Sequence, residues 1–107
     1  MKDLGPRNIL RVPLQLLWEL PDIRQRIEEN TSEMKQDLSK WFAQYEPEVQ
    51  HKLYQQLSLA TADVSFDYTS VLKNVKTNNS DIIFFFNFLQ DVIELYFQDI
   101  VTNKTNS

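Results

Sequence analysis

The most apolar stretch of the chain lies in its last third. Seven of the eight residues from Ile82 to Leu89 are large and apolar, and Asn87 is the exception. On a helix at about 100° per residue, residues 82–101 form an apolar wedge of roughly 220°, about twice what a surface helix needs. The polar residues share one narrow arc and are expected to face solvent: Asn87, Gln90, Asp91, Glu94 and Gln98. The pattern predicts a strongly apolar C-terminal helix from Asp81 to about Val101.

The wedge divides into two faces. Its central face is the expected core: Ile82, Phe85, Phe86, Leu89, Val92, Ile93, Tyr96, Phe97 and Ile100. Phe84, Phe88 and Leu95 form a second ridge beside it, and each would forgo about 1.5–3 kcal/mol if left in water. Either this helix is central in a bundle and covered by its own chain, or the ridge forms a homodimer or partner interface. A ligand pocket lined by phenylalanines is the third and least favoured explanation.

Three further helices are predicted upstream. Residues 13–20 suggest a short helix that starts at Pro13. Residues 22–45 carry a narrow apolar stripe at spacings of three and four: Ile23, Ile27, Met34, Leu38, Trp41, Phe42 and Tyr45. Asn30-Thr31-Ser32-Glu33 interrupts this stripe and could cap a separate helix, but the phase continues, which favours one long amphipathic helix to Tyr45. Another helix is expected to begin at Pro47 and to bury Val49, Leu53, Tyr54, Leu57 and Ala60.

The remaining segments complete an all-α prediction. Residues 64–68 alternate like a short strand, but residues 64–75 also fit a helical face, and helix is favoured because a lone strand has nothing to pair with. Residues 76–80 form a loop in which Asn79 or Ser80 caps the last helix. Gly5 is the only glycine of the 107 residues, which argues against hairpins. We therefore predict one domain, residues 1–107, built as a small bundle of four to five helices with a flexible arm (1–8) and tail (102–107).

Charge and composition limit the kinds of partner and the cellular location that we expect. The formal net charge is −4, with 11 basic and 15 acidic residues, which disfavours nucleic-acid binding. The apolar run is too short for a membrane span. The chain has no cysteine, and its first residues lack the uninterrupted apolar run of a signal peptide, so we expect a cytoplasmic protein.

Candidate chemistry is sparse. The only histidine, His51, follows Glu48 at the Glu-x-x-His spacing of di-iron bundles, but one copy cannot build such a site. The single glycine cannot form a phosphate-binding loop. We expect no enzyme activity, no metal and no cofactor.

The expected function is therefore protein–protein interaction. We predict a small acidic adaptor or regulator, homodimeric, whose interface centres on Phe84, Phe88 and Leu95 with Trp18 or Trp41 as aromatic anchors. An acidic rim that steers a basic partner is expected at Glu28, Glu29, Glu33 and Asp37. One alternative is an acidic inhibitor of the antitoxin or immunity type, which neutralises a basic partner. A second alternative is a carrier of a hydrophobic ligand.

Overall fold

The computed structural model describes residues 9–18, 22–71 and 77–105, and over these residues the chain is all-α, as predicted. Five α-helices and no strand are formed there, with two short 3₁₀-helices besides the 3₁₀ residues Ile9 and Leu10 that precede the first α-helix. The α-helices are α1 (Arg11–Leu14), α2 (Ile23–Glu29), α3 (Thr31–Ala43), α4 (Pro47–Ala62) and α5 (Asn79–Thr105). The 3₁₀-helices are Gln15–Trp18 and Tyr68–Ser70. The predicted number of four to five helices is confirmed.

Helix α5 is the centre of the bundle. Helices α2, α3 and α4 and the second 3₁₀-helix all pack against it. Its fully or almost fully buried residues are Ile82, Phe85, Phe86, Leu89, Val92 and Ile93. Arg24 of α2 contacts the start of α5 at Asp81, and Phe42 of α3 contacts Tyr96 near its end, so α2 and α3 follow α5 in the same direction. The structure thus supports the explanation in which the chain itself covers much of the apolar wedge.

Helix α4 runs in the opposite direction along another side of α5. Gln50, near the start of α4, reaches Tyr96, whereas Thr61, near its end, reaches Gln90. The helix begins at Pro47, as predicted, because Glu46 is extended (φ −64°, ψ 151°) and proline is tolerated in the first turn. The predicted apolar positions Leu53, Leu57 and Ala60 are buried.

The predicted single helix over residues 22–45 is wrong, because the chain breaks at Asn30 (φ −134°, ψ 47°). The hydroxyl of Thr31 donates to the carbonyl oxygen of Ile27 at 2.6 Å, and a side chain inserted into the backbone ladder is a recognised cause of a kink. The alternative of a second helix starting after Asn30 is the one observed. The apolar stripe nevertheless continues across the break, since Ile27 and Leu38 are both buried.

The predicted helix over residues 64–75 is also wrong in its first part. Residues 64–67 form a turn, residues 68–70 a single 3₁₀ turn, and residues 72–76 lie outside the described residues. The fully buried Tyr68 holds this connection, because its phenol donates to the carbonyl oxygens of Ala60 at 3.0 Å and Asp63 at 2.8 Å. These bonds tie the connection to the end of α4.

Helix α5 begins at Asn79, two residues before the predicted start at Asp81, and its cap is neither of the two predicted residues. The side chain of Asn78 accepts a hydrogen bond from the amide of Asp81 at 2.8 Å and so caps the helix. Asn79, one of the two predicted caps, instead accepts from the amide of Tyr68 at 2.7 Å and donates to the carbonyl of Phe66 at 2.9 Å. The helix continues to Thr105, beyond the predicted end at Val101 and into the predicted tail.

The N-terminal segment adds a layer to the core. Pro13 occupies the third position of α1 rather than the first. Leu10, Leu14 and Leu17 are buried in the same core cluster as α5. The predicted arm, residues 1–8, lies outside the described residues.

Candidate interaction groove

A groove of about 340 Å³ lies on the surface between α3 and α5, and we call it the α3–α5 groove. It is lined by Lys35, Gln36, Ser39 and Lys40 of α3 and by Val92, Leu95, Tyr96 and Asp99 of α5. Both sets recur at spacings of three and four residues, so each helix contributes one continuous face. The parallel course of α3 and α5 therefore produces an elongated groove rather than an isolated pit.

The α5 wall of the groove is apolar along most of its length. Val92 is buried and Tyr96 is half-buried, whereas Leu95 is 48% exposed. Among the residues described, the other large apolar side chains with such exposure are Leu59 (58%) and Val64 (61%). These two belong to α4 and to the turn after it, outside the groove. Leu95 is thus the predicted interaction residue that combines exposure with a concave surface.

The two walls of the groove carry opposite charges. Lys35 and Lys40 are exposed on α3, and Asp99 is exposed on α5. Over the described ranges, the ion pairs that form lie elsewhere: Arg24–Asp81, Arg26–Asp22 and Lys52–Glu48. The charged groups of the groove are therefore available to a binding partner.

The second ridge does not form one exposed surface. Phe84 and Phe88 are half-buried and pack against the core, and only Leu95 is exposed. Phe84 is covered by Arg24, whose guanidinium carbon lies 4.4 Å from the ring centroid. The same guanidinium donates from Nε to Asp81 at 2.7 Å. Arg24 was missed at the sequence level because nothing in the pattern connects residues 57 positions apart.

The two predicted aromatic anchors are not brought to the groove. Trp41 is half-buried and packs edge-to-face on Tyr45, with ring centroids 5.3 Å apart. It does not line the groove, since α3 presents Lys35 to Lys40 there from another face. Trp18 lies in the first 3₁₀-helix, and its side chain is outside the described part of the structure.

The predicted acidic rim is exposed but not uniformly acidic. Its members, all solvent-accessible, are Glu28, Glu29, Glu33 and Asp37. Exposed cations are interleaved along the same two helices at Arg26, Lys35 and Lys40. Arg26 Nε donates to Asp22 at 3.0 Å, and this bond lowers the pKa of the Asp22 carboxyl. The face is thus a mixture of both charges, which weakens the basis for steering by acidity alone.

A polar seam between α4 and α5 was not anticipated. Gln50 is buried, and its amide donates to the carbonyl of Phe42 at 3.0 Å and to the Tyr96 hydroxyl at 3.4 Å. The Gln90 amide oxygen accepts from the Thr61 hydroxyl at 2.9 Å, and its nitrogen donates to the Ser58 hydroxyl at 3.0 Å. Gln90 therefore faces α4 rather than solvent, contrary to its predicted place in the solvent arc.

Glu94 departs from the predicted solvent arc for the same reason. It is half-buried, and its carboxylate accepts a hydrogen bond from the Tyr54 phenol at 2.9 Å. This hydrogen bond raises the pKa of Tyr54, because ionising the phenol would remove the donor and place two negative charges together. The pair is a contact between helices rather than a candidate acid–base site.

The remaining candidate for chemistry is His51, and its ring makes an aromatic contact with α5. His51 is exposed and stacks on Phe97, with ring centroids 5.4 Å apart and planes inclined by 13°. Within the described residues, no cluster of three or more His, Cys, Asp or Glu side chains is arranged to hold a metal ion. Nor does any helix in the same part of the chain combine the length and apolarity needed to cross a membrane.

No protein-family model matches this chain, and no curated protein and no solved structure is significantly similar to it.

Proposed function

We propose that this protein is a non-enzymatic adaptor or regulator that binds a helical segment of another polypeptide in the α3–α5 groove. The observation that carries the proposal is the exposure of Leu95 (48%) in a concave surface, where Val92 and Tyr96 flank it on the α5 wall. An exposed leucine on a flat surface is ordinary, whereas one in a groove offers a partner side chain both area and shape.

The shape of the groove favours a helix as the bound element. Two parallel helices form its walls, and a third helix laid between them would place residues at spacings of three and four along Val92, Leu95 and Tyr96. Lys35 and Lys40 on one side and Asp99 on the other would contact the polar flanks of that helix. Such contacts orient a partner more than they add affinity.

The adaptor proposal fits the described surface better than the inhibitor alternative does. A neutraliser of a basic protein needs a face dominated by acidic side chains. Here Glu33 and Asp37 share α3 with the exposed Lys35 and Lys40. The groove itself carries more positive than negative groups, so acidity is not its recognition element.

Site-specific photo-crosslinking tests the proposal. A photoreactive residue at position 95 or 36 is expected to give one discrete adduct from cells that express the protein. Positions 59 and 55 on α4, both exposed, are matched controls and should give none. Equal labelling at all four positions, or the absence of any discrete adduct at 95 and 36, would contradict the groove as the binding site.

A competition step separates binding from folding. Leu95→Gln is expected to change the free energy of unfolding by less than about 0.5 kcal/mol, because the side chain is half-exposed. Excess unlabelled wild-type protein should suppress an adduct with a different protein, whereas the Leu95→Gln variant should not; an adduct with a second copy of this chain should persist. If the variant competes as well as wild type, Leu95 is not part of the contact.

A further inference from the structure

We infer that the helical surface bound at the α3–α5 groove belongs to a second copy of this chain, whose own groove faces it, so that the protein forms a two-fold dimer through the groove. The inference rests on the proposed function and names its partner. What supports it is the self-complementary charge of the groove: Lys35 and Lys40 line one wall and Asp99 lines the other.

Only one two-fold arrangement uses this complementarity. With the axis along the groove, α3 of each copy lies over α5 of the other. Lys40 and Asp99 line opposite walls of the same groove, so the wall that carries Lys40 then faces the wall that carries Asp99 of the second copy. An axis across the groove would instead oppose lysine to lysine, and like charges in contact are unfavourable. The charges therefore select an isologous dimer with parallel helices.

This arrangement also covers Leu95. Each leucine would lie beside the axis and pack against the aliphatic stems of Gln36 and Lys40 of the second copy, while the ammonium groups remain at the rim. The centre of the interface is then apolar and its edge is charged, which is the common anatomy of protein interfaces. In the isolated chain, the same leucine is 48% exposed.

The first test is the mass of the full chain in solution, by light scattering behind a sizing column across about a hundredfold range of concentration. Wild type is expected to approach a dimer at the higher concentrations. Leu95→Gln should raise the dissociation constant by about thirtyfold, as for a central interface residue. Leu59→Gln, a change at a leucine of similar exposure (58%) on α4, should leave the mass unchanged. Circular dichroism confirms that both variants are helical.

A charge exchange between copies tests the geometry. Lys40→Asp places aspartate against Asp99 of the second copy, and Asp99→Lys places lysine against Lys40, so each variant alone should dissociate about tenfold more readily. An equimolar mixture of the two should recover the dimer, because both contacts in the mixed pair are again attractive. Lys52→Asp on α4, at an exposed lysine, is the control and should behave as wild type.

The outcomes separate this inference from the proposed function. A wild-type chain that stays monomeric at every concentration overturns the second copy as occupant, even if position 95 crosslinks to another protein. The inference is also overturned if Leu95→Gln leaves the dissociation constant of the dimer unchanged. It is overturned as well if the mixture of the two charge variants does not recover the dimer. Monomeric protein together with no adduct at position 95 overturns both proposals.

Discussion

The two sides of α5 are built in opposite ways. Towards α4, polar side chains on the edge of the apolar wedge are paired across the interface, as in Tyr54–Glu94 and Thr61–Gln90. Towards α3, the corresponding edge is apolar, and Leu95 stays exposed beside Lys40 and Asp99. One helix therefore has a closed polar seam on one flank and, on the other, an open groove whose α5 wall is mostly apolar.

This difference shows that hydrophobicity does not by itself decide which face of a central helix is buried. Gln90 and Glu94 are half-buried because α4 supplies hydrogen-bond partners to them. A buried polar group that is satisfied costs little, whereas an apolar group without a covering element stays in water. Helix α4 thus covers part of the polar arc of α5, whereas Leu95, on the flank towards α3, stays exposed.

Truncating the buried ring of Phe85 should have the largest effect on the free energy of unfolding. Phe85 is fully buried and packs against Phe86, with centroids 6.2 Å apart. Phe85→Ala should lower the free energy of unfolding by about 3–5 kcal/mol through lost burial and a cavity. Urea unfolding followed by circular dichroism measures this. A loss under about 1 kcal/mol would mean that α5 is not the centre of the core.

Removing a buried hydrogen-bond donor from the polar seam between α4 and α5 should have the second-largest effect on the free energy of unfolding. Gln50→Leu keeps the side-chain size but removes the donor to the Phe42 carbonyl and the Tyr96 hydroxyl. We expect a loss of about 1–2 kcal/mol in the same unfolding measurement, towards the lower end because the amide of Tyr45 also donates to the Phe42 carbonyl. Gln55→Leu, exposed on the same helix, is the control. An equal effect of both changes would refute a special role for the buried amide.

The contact of Arg24 with Phe84 should contribute less to the free energy of unfolding. Arg24→Ala removes both the ion pair with Asp81 and the cation over the Phe84 ring, at partly exposed positions (side chains 42% and 28% accessible for the ion pair). The expected cost in thermal or urea unfolding is about 1 kcal/mol. Arg24→Lys should recover only part of it, because lysine lacks the planar fork. Full recovery of stability by lysine would mean that only the positive charge of Arg24 contributes.

The smallest effect should appear as a pH dependence. The raised pKa of Tyr54 means that the folded state holds the phenol proton more tightly than the unfolded state, whose ordinary value is 10.0. Its contribution is therefore present below that value and is lost as the pH rises through the raised folded-state pKa. In denaturation at about pH 9 and about pH 11, Tyr54→Phe should lose less than about 1 kcal/mol at the lower pH and still less at the higher one. A difference that grows with pH would contradict the assigned cause.

Much of the fold could be predicted from short-range signals. Pro47 after Glu46 indicated the start of α4, and spacings of three and four indicated Leu53 and Leu57 as buried. Such signals act within one or two turns of helix and need no knowledge of the rest of the chain. Asn30 shows their limit, since the stripe kept its phase while the helix broke at Asn30, where the Thr31 hydroxyl bonds to the carbonyl of Ile27.

The candidate groove could be predicted only in part. Leu95 was identified from the width of the apolar wedge, and it is exposed as an interaction residue must be. Phe84 belonged to the same pattern, but Arg24 covers it from a position distant in the sequence. Trp41 satisfied the criterion of an aromatic on an amphipathic helix, yet it faces Tyr45 and not the groove.

The sequence by itself determined that this protein is helical and that its last helix carries more apolar surface than one neighbour can cover. These properties follow from side-chain periodicity and from the near absence of glycine, both local features of the chain. The tertiary structure alone decided which part of that surface is closed. Hydrogen-bond donors on α4 and the guanidinium of Arg24 close the flanks they reach, whereas α3 offers Leu95 only the rim of a groove. The physical reason is that these partners are remote in sequence, and only the packed fold places them side by side.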